Sequence, residues 1–291
     1  MAADTTDARY SARQVLVQLL RRALGGEFGN PGAPSDPEFR IRGGADEELL
    51  VRSVMRHRLA AFLHPALESG LLGEELPIDF VGLCRQAYFT TLRRNLVAMD
   101  VGEALLTSLG HRGLSAEPRG PWALVRGGDP VHPDPGERPI GPLELALPGE
   151  QEPELRDLAR GFGFEARDAS PFIWKTLGRM ELALQLRTEA PATEPYAPIL
   201  DAAAGLERSR FRCWVGLLDV HRLVVTGGFS PAALEREAIQ AGLSRAVGSS
   251  MRLARSVLAT PVSACWRAKA NPDFGGGRVI PPALMPSTAL S

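Results

Sequence analysis

Apolar residues recur at helical spacing through the first third of the chain. Between Ala12 and Leu24, the residues Val15, Leu16, Leu19, Leu20 and Leu24 keep near the i, i+3, i+4 rhythm of one apolar face. Gly25-Gly26 is expected to stop that helix. Residues 29–44 are rich in Gly and Pro and read as a loop. A second helix is predicted from Asp46 to about Leu67, with Leu49, Leu50, Val54 and Leu59 as buried positions. A longer one runs from roughly Asp79 to Gly110, and its apolar series includes Phe80, Leu83, Ala87, Leu92, Leu96, Met99, Ala104, Leu105 and Leu109.

The rhythm shortens after Gly110. Up to about Ala190 the apolar period falls toward two, and Pro and Gly punctuate heavily from Gly127 to Pro142. Trp122–Val125, Leu143–Leu147 and Met180–Leu186 read as strands, Phe162–Ala166 as a short one, and Glu152–Arg160 as a helix. Helical spacing returns from Ile199 to about Thr226, from Pro231 to Ala241 and from Leu243 to Leu258. Ser230 is placed to cap the helix that Pro231 opens. The tail from about Asn271 is again rich in Gly and Pro, and reads as mobile. The organisation expected is a helical region over 1–110, an α/β core over 111–190, a helical region over 191–262 and a tail over 263–291.

Composition narrows the function classes. The chain has 291 residues, 44% hydrophobic and 23% charged, which excludes a wholly disordered protein. A formal net charge of -1 gives no overall reason to expect nucleic acid or an acidic membrane as partner. Apolar stretches such as Val15–Leu20 are too short to span a bilayer, and the first residues carry acids and no apolar core of signal-peptide type. Cys84, Cys213 and Cys265 are widely separated, as expected of reduced thiols in a cytoplasmic protein. His57 and His64 lie near one face of a helix but lack a third ligand, so a packing role is expected of them. Gly275-Gly276-Gly277 has no helix after it to make a phosphate cradle. Arg208, Arg210 and Arg212, with Arg252 and Arg255, read as solvated helical faces or local basic patches.

The segment Gly113–Pro148 carries a more specific pattern. Arg119-Gly120 precedes the run His132-Pro133-Asp134-Pro135-Gly136-Glu137-Arg138-Pro139, and Gly141-Pro142-Leu143-Glu144 follows it. This order resembles the signature of an uncharacterised bacterial nucleotidyltransferase family. There a strand ends in Lys-Gly, then come a helix and a "Y-x-D-P-G-x-R-P" loop, and the next strand opens with Gly-Asp-x-Asp. Met55–Leu67, Arg94-Asn95, Gly161–Phe164, Glu181–Ala183 and Trp214–Val220 resemble further stretches of the family, so the likeness spans roughly residues 45–262. It implies an α+β fold, with a small nucleotidyltransferase-like mixed sheet flanked by N- and C-terminal helical layers. It also implies that Trp122–Val125 is helix, against the strand that its letters alone suggest.

Nucleotidyl transfer uses two Mg²⁺ ions to activate the attacking hydroxyl and neutralise the departing pyrophosphate. Two Asp at i and i+2 of one strand face the same way, and a third carboxylate from a neighbouring strand completes the hard-oxygen ligand set. The resemblance places Pro142 at the first carboxylate, Glu144 at the second and Glu181 at the third, with Ala183 where a His would follow and Arg119 where Lys would stand. Glu144 and Glu181 are the candidate catalytic and metal-binding residues. Arg119, Gly120, Arg138 and Gly141 are the candidates for nucleotide binding. Glu144 and Glu181 have a plainer reading as solvated strand residues, and Arg138 as half of a loop-fixing pair. Asp129 and Asp134 read as turn formers, or as substitute ligands.

Pro142 removes one ligand of three, too few to hold two metals. The leading expectation is therefore a degenerate, non-catalytic nucleotidyltransferase-like protein, a pseudoenzyme that binds a nucleotide or a partner protein. Two alternatives stand beside it. One is an active Mg²⁺-dependent enzyme moving a nucleotide from an NTP to an acceptor, in which case Mg²⁺ is the cofactor. The other is a scaffold with no ligand, marked by a large exposed apolar patch.

Overall fold

The helical rhythm of the first third becomes α1 (Asp4–Phe28), α2 (Ala45–Arg56), α3 (Ala60–Glu68) and α4 (Ile78–His111) in the computed structural model. The residues described are 4–28, 45–72, 76–126, 131–167, 170–188 and 195–262. The expectations for the loop 29–44, for Asp129 and for the tail 263–291 with Cys265 lie outside them. The middle third supplies β1 (Glu117–Arg119), α5 (Gly120–Val125), β2 (Leu143–Ala146), α6 (Glu152–Gly161), β3 (Glu165–Ala166), β4 (Phe172–Leu177) and β5 (Met180–Arg187). Helix closes the chain as α7 (Ala197–Arg208), α8 (Val215–Thr226), α9 (Pro231–Gln240) and α10 (Ser244–Leu258). The protein is thus mixed α+β, with helix dominant.

Four expectations need correcting. Gly25-Gly26 does not end α1, which continues to Phe28; each Gly costs a helix roughly 1 kcal/mol, which weakens it without forbidding it. Trp122–Val125 is helix, not strand. Pro121 sits in the first turn of α5, and Trp122 is fully buried with its ring against Gly102. The helix expected from Asp46 to Leu67 is broken at 57–59, where Arg58 has φ 57°. The helix expected from Ile199 to Thr226 is broken at 209–214, where Arg210 and Phe211 have φ 51° and 57°.

The two breaks hold each other. The His57 ring stacks on Trp214 with centroids 4.2 Å apart. Its Nδ1 lies 2.7 Å from the Arg212 carbonyl oxygen, and the Val215 amide donates to the His57 carbonyl at 3.2 Å. Left-handed backbone costs a non-glycine residue on the order of 1–3 kcal/mol, so it persists only where tertiary contacts over-determine it. Here a stacked ring and reciprocal backbone contacts supply that determination.

Five strands form one sheet in the order β1-β2-β5-β4-β3, parallel between β2 and β5 and antiparallel elsewhere. Side chains alternate along each strand. Leu143, Leu145, Leu182, Leu184 and Ile173 enter one apolar core with α6 and the C-terminal half of α4. A second core joins both ends of the chain, bringing α1–α3 against α7, α8 and α10. α4 belongs to both: Phe80 and Cys84 enter the helical core, and Ala98, Leu105 and Leu109 the core under the sheet. Its 34 residues run about 51 Å at roughly 1.5 Å per residue.

The opposite face of the sheet is polar and covered. Arg119, Glu144 and Gln185 stand in one row across β1, β2 and β5, because Glu144 pairs in register with both of the others. Arg187 lies two residues further along β5 on that same face. α5 and α7 lie over it, so both faces of β2 are buried.

Candidate functional site

The run His132–Pro139 folds as a loop fixed from three sides. Asn95, buried in the middle of α4, donates from Nδ2 to the carbonyls of Pro135 (2.6 Å) and Arg138 (2.7 Å) and accepts from the Ile140 amide at 3.1 Å. The Asp134 carboxylate accepts from the Tyr88 hydroxyl at 3.0 Å and from the Gly136 amide at 2.7 Å. That makes Asp134 a loop-fixing residue in this geometry. A Cβ on Gly136 would run into the Tyr88 ring, so no other residue fits that approach.

Arg138 turns inward from this loop to α8. Its Nε and Nη2 donate to the two oxygens of Asp219 at 2.8 and 2.7 Å, a planar two-bond pair. His132 Nε2 sits 2.8 Å from Asp219 Oδ1, and Arg222 contacts both His132 and Glu137. Burial alone would raise the Asp219 carboxyl, but Arg138 and His132 outweigh it and hold the group well below the usual carboxylate range. Burial pushes His132 down to about 4, so its ring is neutral at pH 7.

Behind β1 and β2 lies a second buried network. Arg119 Nε donates to Asp201 Oδ2 at 2.9 Å, and Arg187 Nη1 to Asp201 Oδ1 at 2.9 Å. Arg187 also pairs with Glu144. Glu144 lies flat against Gly120, whose φ of +60° favours glycine; a Cβ there would stand 2.7 Å from Glu144 Oε1. Burial raises the Glu144 carboxyl above its ordinary value, while Arg187 draws it down.

Both networks border one cavity of about 380 Å³, a size ordinary for a small-molecule site. Gly120, Arg138, Gly141, Glu144, Asp201 and Asp219 line it. So do Arg56, Arg58, Arg208 and Arg212, all exposed. Arg58 and Arg212 lie in the two helix breaks, and Arg56 and Arg208 are the last helical residues before them. None of them forms an ion pair with a carboxylate among the described residues, whereas Glu144, Asp201 and Asp219 are each held by an inner arginine. The wall therefore carries a positive excess, focused by low-dielectric surroundings.

Of the residues singled out from sequence, Gly120, Arg138, Gly141 and Glu144 meet at this cavity, and Arg119 stands directly behind it. Glu181 does not join them. It pairs in register with Thr176, is exposed, and forms an ion pair with Arg167 at 2.6 Å, which draws its carboxyl down. Four steps along the strand, about 13 Å at ~3.3 Å each, separate it from Gln185 opposite Glu144. Sequence reading missed Asp201, Arg187, Arg56 and Arg58 altogether, and left Arg208 and Arg212 as local basic patches or solvated helical faces. His64, the other histidine singled out, packs 4.7 Å from the Tyr88 ring, away from any metal set.

The residues present do not fit the Mg²⁺ pair that the resemblance implies. The Pro142 side chain has no ligand atom. The positions of β5 that share Glu144's face are Glu181, Ala183, Gln185 and Arg187, and the one acid among them, Glu181, stands at the far end of the strand in its ion pair with Arg167. Both oxygens of Asp201 are taken by arginines, and Arg187 occupies Glu144 as well. Among the described residues no three His, Cys, Asp or Glu side chains gather as a metal site. No described helix is long and apolar enough to cross a membrane. No family model, curated protein or solved structure matches the chain.

Proposed function

We propose that this chain is a degenerate nucleotidyltransferase-like protein that binds the phosphate groups of a nucleotide in the arginine-rimmed cavity without transferring them. One observation carries the reading: the separate stretches Arg119-Gly120, Arg138 and Gly141–Glu144 converge on a cavity whose acids are internally neutralised while four rim arginines stay uncommitted to any described carboxylate. Such a wall attracts anions, and guanidinium groups suit phosphate because they donate in a planar fork. Among the described residues the carboxylate set needed for two-metal transfer is absent from the same wall, which supports binding rather than catalysis.

Calorimetric titration with ATP, GTP, CTP and UTP, in EDTA and in Mg²⁺, tests it. Saturable binding of a nucleotide with no pyrophosphate released on prolonged incubation is the expected result. Metal-dependent transfer of a nucleotide to any acceptor, or no binding at millimolar nucleotide, overturns it.

A further inference from the structure

Arg187 occupies an unusual position for a cation. It closes β5, where its carbonyl accepts from the Leu147 amide at 3.0 Å and so fixes the strand end. Its side chain, 9% exposed, reaches across to Glu144 on β2 and to Asp201 on α7. Those carboxylates are 8% and 11% exposed and come from separate elements, so without a positive charge between them they would repel in a poorly solvated place. Asp201 is fully engaged, with Oδ1 on Arg187 and Oδ2 on Arg119 and, at 3.4 Å, on the Gly120 amide.

A divalent cation would need the same oxygens. Mg²⁺ binds oxygen at about 2.0–2.1 Å in a near-octahedral shell, which leaves no space for a guanidinium on those atoms. We infer that the Arg187 guanidinium permanently fills the place between Glu144 and Asp201 that a divalent cation would otherwise bridge, so that the cavity takes a polyphosphate as the free, metal-less anion.

The inference rests on the anion-binding reading for its ligand, but not for its metal exclusion. The arginine is covalently part of the chain, so the positive charge behind Glu144 and Asp201 of the cavity wall does not depend on metal supply. A polyphosphate already wrapped around Mg²⁺ brings less negative charge and carries a cation toward a wall of arginines. Metal should therefore compete with the site for its ligand.

Two measurements on the full chain test this. In the first, inorganic tripolyphosphate is titrated calorimetrically in EDTA and again with Mg²⁺ in excess over the ligand. Affinity that is equal or weaker in Mg²⁺ is expected; affinity tenfold tighter in Mg²⁺ overturns the inference. In the second, Mn²⁺ is followed by electron paramagnetic resonance with no phosphate present. Wild type is expected to leave millimolar Mn²⁺ free, Arg187→Met to bind one Mn²⁺ per chain, and Arg187→Met combined with Glu144→Gln to lose it again. Mn²⁺ bound by wild type and lost on Glu144→Gln, or a folded Arg187→Met that binds none, overturns it. Should Arg187→Met fail to fold, Arg187→Gln takes its place, and the wild-type arm decides by itself. If wild type binds no tripolyphosphate at all, the anion-binding reading fails, while the Mn²⁺ experiment still decides the role of Arg187.

Discussion

Arg138 and Asp219 meet as a two-bond pair, 2.8 and 2.7 Å, although they stand 81 positions apart in the chain. The pair ties the loop after α5 to α8 and fixes one wall of the cavity. Both side chains are buried, so removing one partner leaves the other as an uncompensated charge. Asp219→Ala is expected to cost about 3–5 kcal/mol, read as the shift in urea midpoint with an unchanged slope. A loss below 1 kcal/mol would show that water reaches Arg138 freely.

Acid should destabilise the fold by a route separate from the carboxylates. Burial pushes His57, His132 and His221 each down to about 4, from 6.5. Between those values the unfolded chain takes up protons that the folded protein refuses. Stability should therefore fall as pH drops from about 6.5 toward 4, by up to ~1.4 kcal/mol per pH unit for each histidine. Asp219, held low in the fold, adds a further loss at still lower pH. Urea midpoints at pH 7.5, 6 and 5 check this, and a flat profile over that range would contradict the burial of these rings.

Glu144 separates a binding site from a catalytic one. It is the one negative charge at the cavity wall contributed by strand β2, and removing it makes the wall more positive. Glu144→Gln should bind tripolyphosphate about two- to fivefold more tightly, the effect of roughly 0.5–1 kcal/mol of relieved repulsion. An active enzyme would instead lose turnover with this residue, so pyrophosphate release by wild type that disappears in the variant would favour catalysis.

Arg208 and Arg212 should act on affinity and not on folding. Both are exposed and form no ion pair with a described carboxylate, so Arg208→Ala and Arg212→Ala should leave the melting temperature within a degree or so, as is usual for surface substitutions. Each should weaken tripolyphosphate binding roughly five- to twentyfold through a lost charge-assisted contact. The loss should shrink as salt is raised, because exposed charges are screened. Unchanged affinity in both variants would move the ligand elsewhere.

Gly120→Ala tests the contact between α5 and β2. The substitution places a Cβ 2.7 Å from the Glu144 carboxylate at a φ of +60°, so the side chain of Glu144 must move or the backbone must strain. A cost of about 1–3 kcal/mol is expected. Combining it with Glu144→Ala should recover part of that cost, measurable as a double-mutant cycle.

What could be read from the letters followed the range of the signal. α4, β2, α6, α9 and α10 each carry their periodicity within their own residues, and their positions agree with the spacing that predicts them. The Ser230 cap is equally local, its Oγ accepting from the Ala233 amide at 3.4 Å. Alternation along β5 gave the faces but not the register, and register decides which residue stands opposite Glu144. The resemblance points to Glu181, and no local pattern marks Arg187 as the residue that reaches Glu144. Both helix breaks were invisible for a different reason. Nothing in residues 57–59 or 209–214 forbids a helix; His57 and Trp214 impose the breaks on each other from opposite ends of the sequence. The rim arginines owe their common location to those breaks, so the part of the site that local patterns could not reach is the part built by long-range contact.

α4 has a consequence for how the whole molecule melts. It is a single rod with one end embedded in the helical core and the other beneath the sheet, and Asn95 at its middle holds the loop between them. Neither half can loosen without fraying a helix on which the other depends. Thermal denaturation should accordingly be one cooperative event, with the aromatic signal of Trp122 under the sheet and that of Trp214 among the helices vanishing together, and calorimetric and van't Hoff enthalpies in agreement.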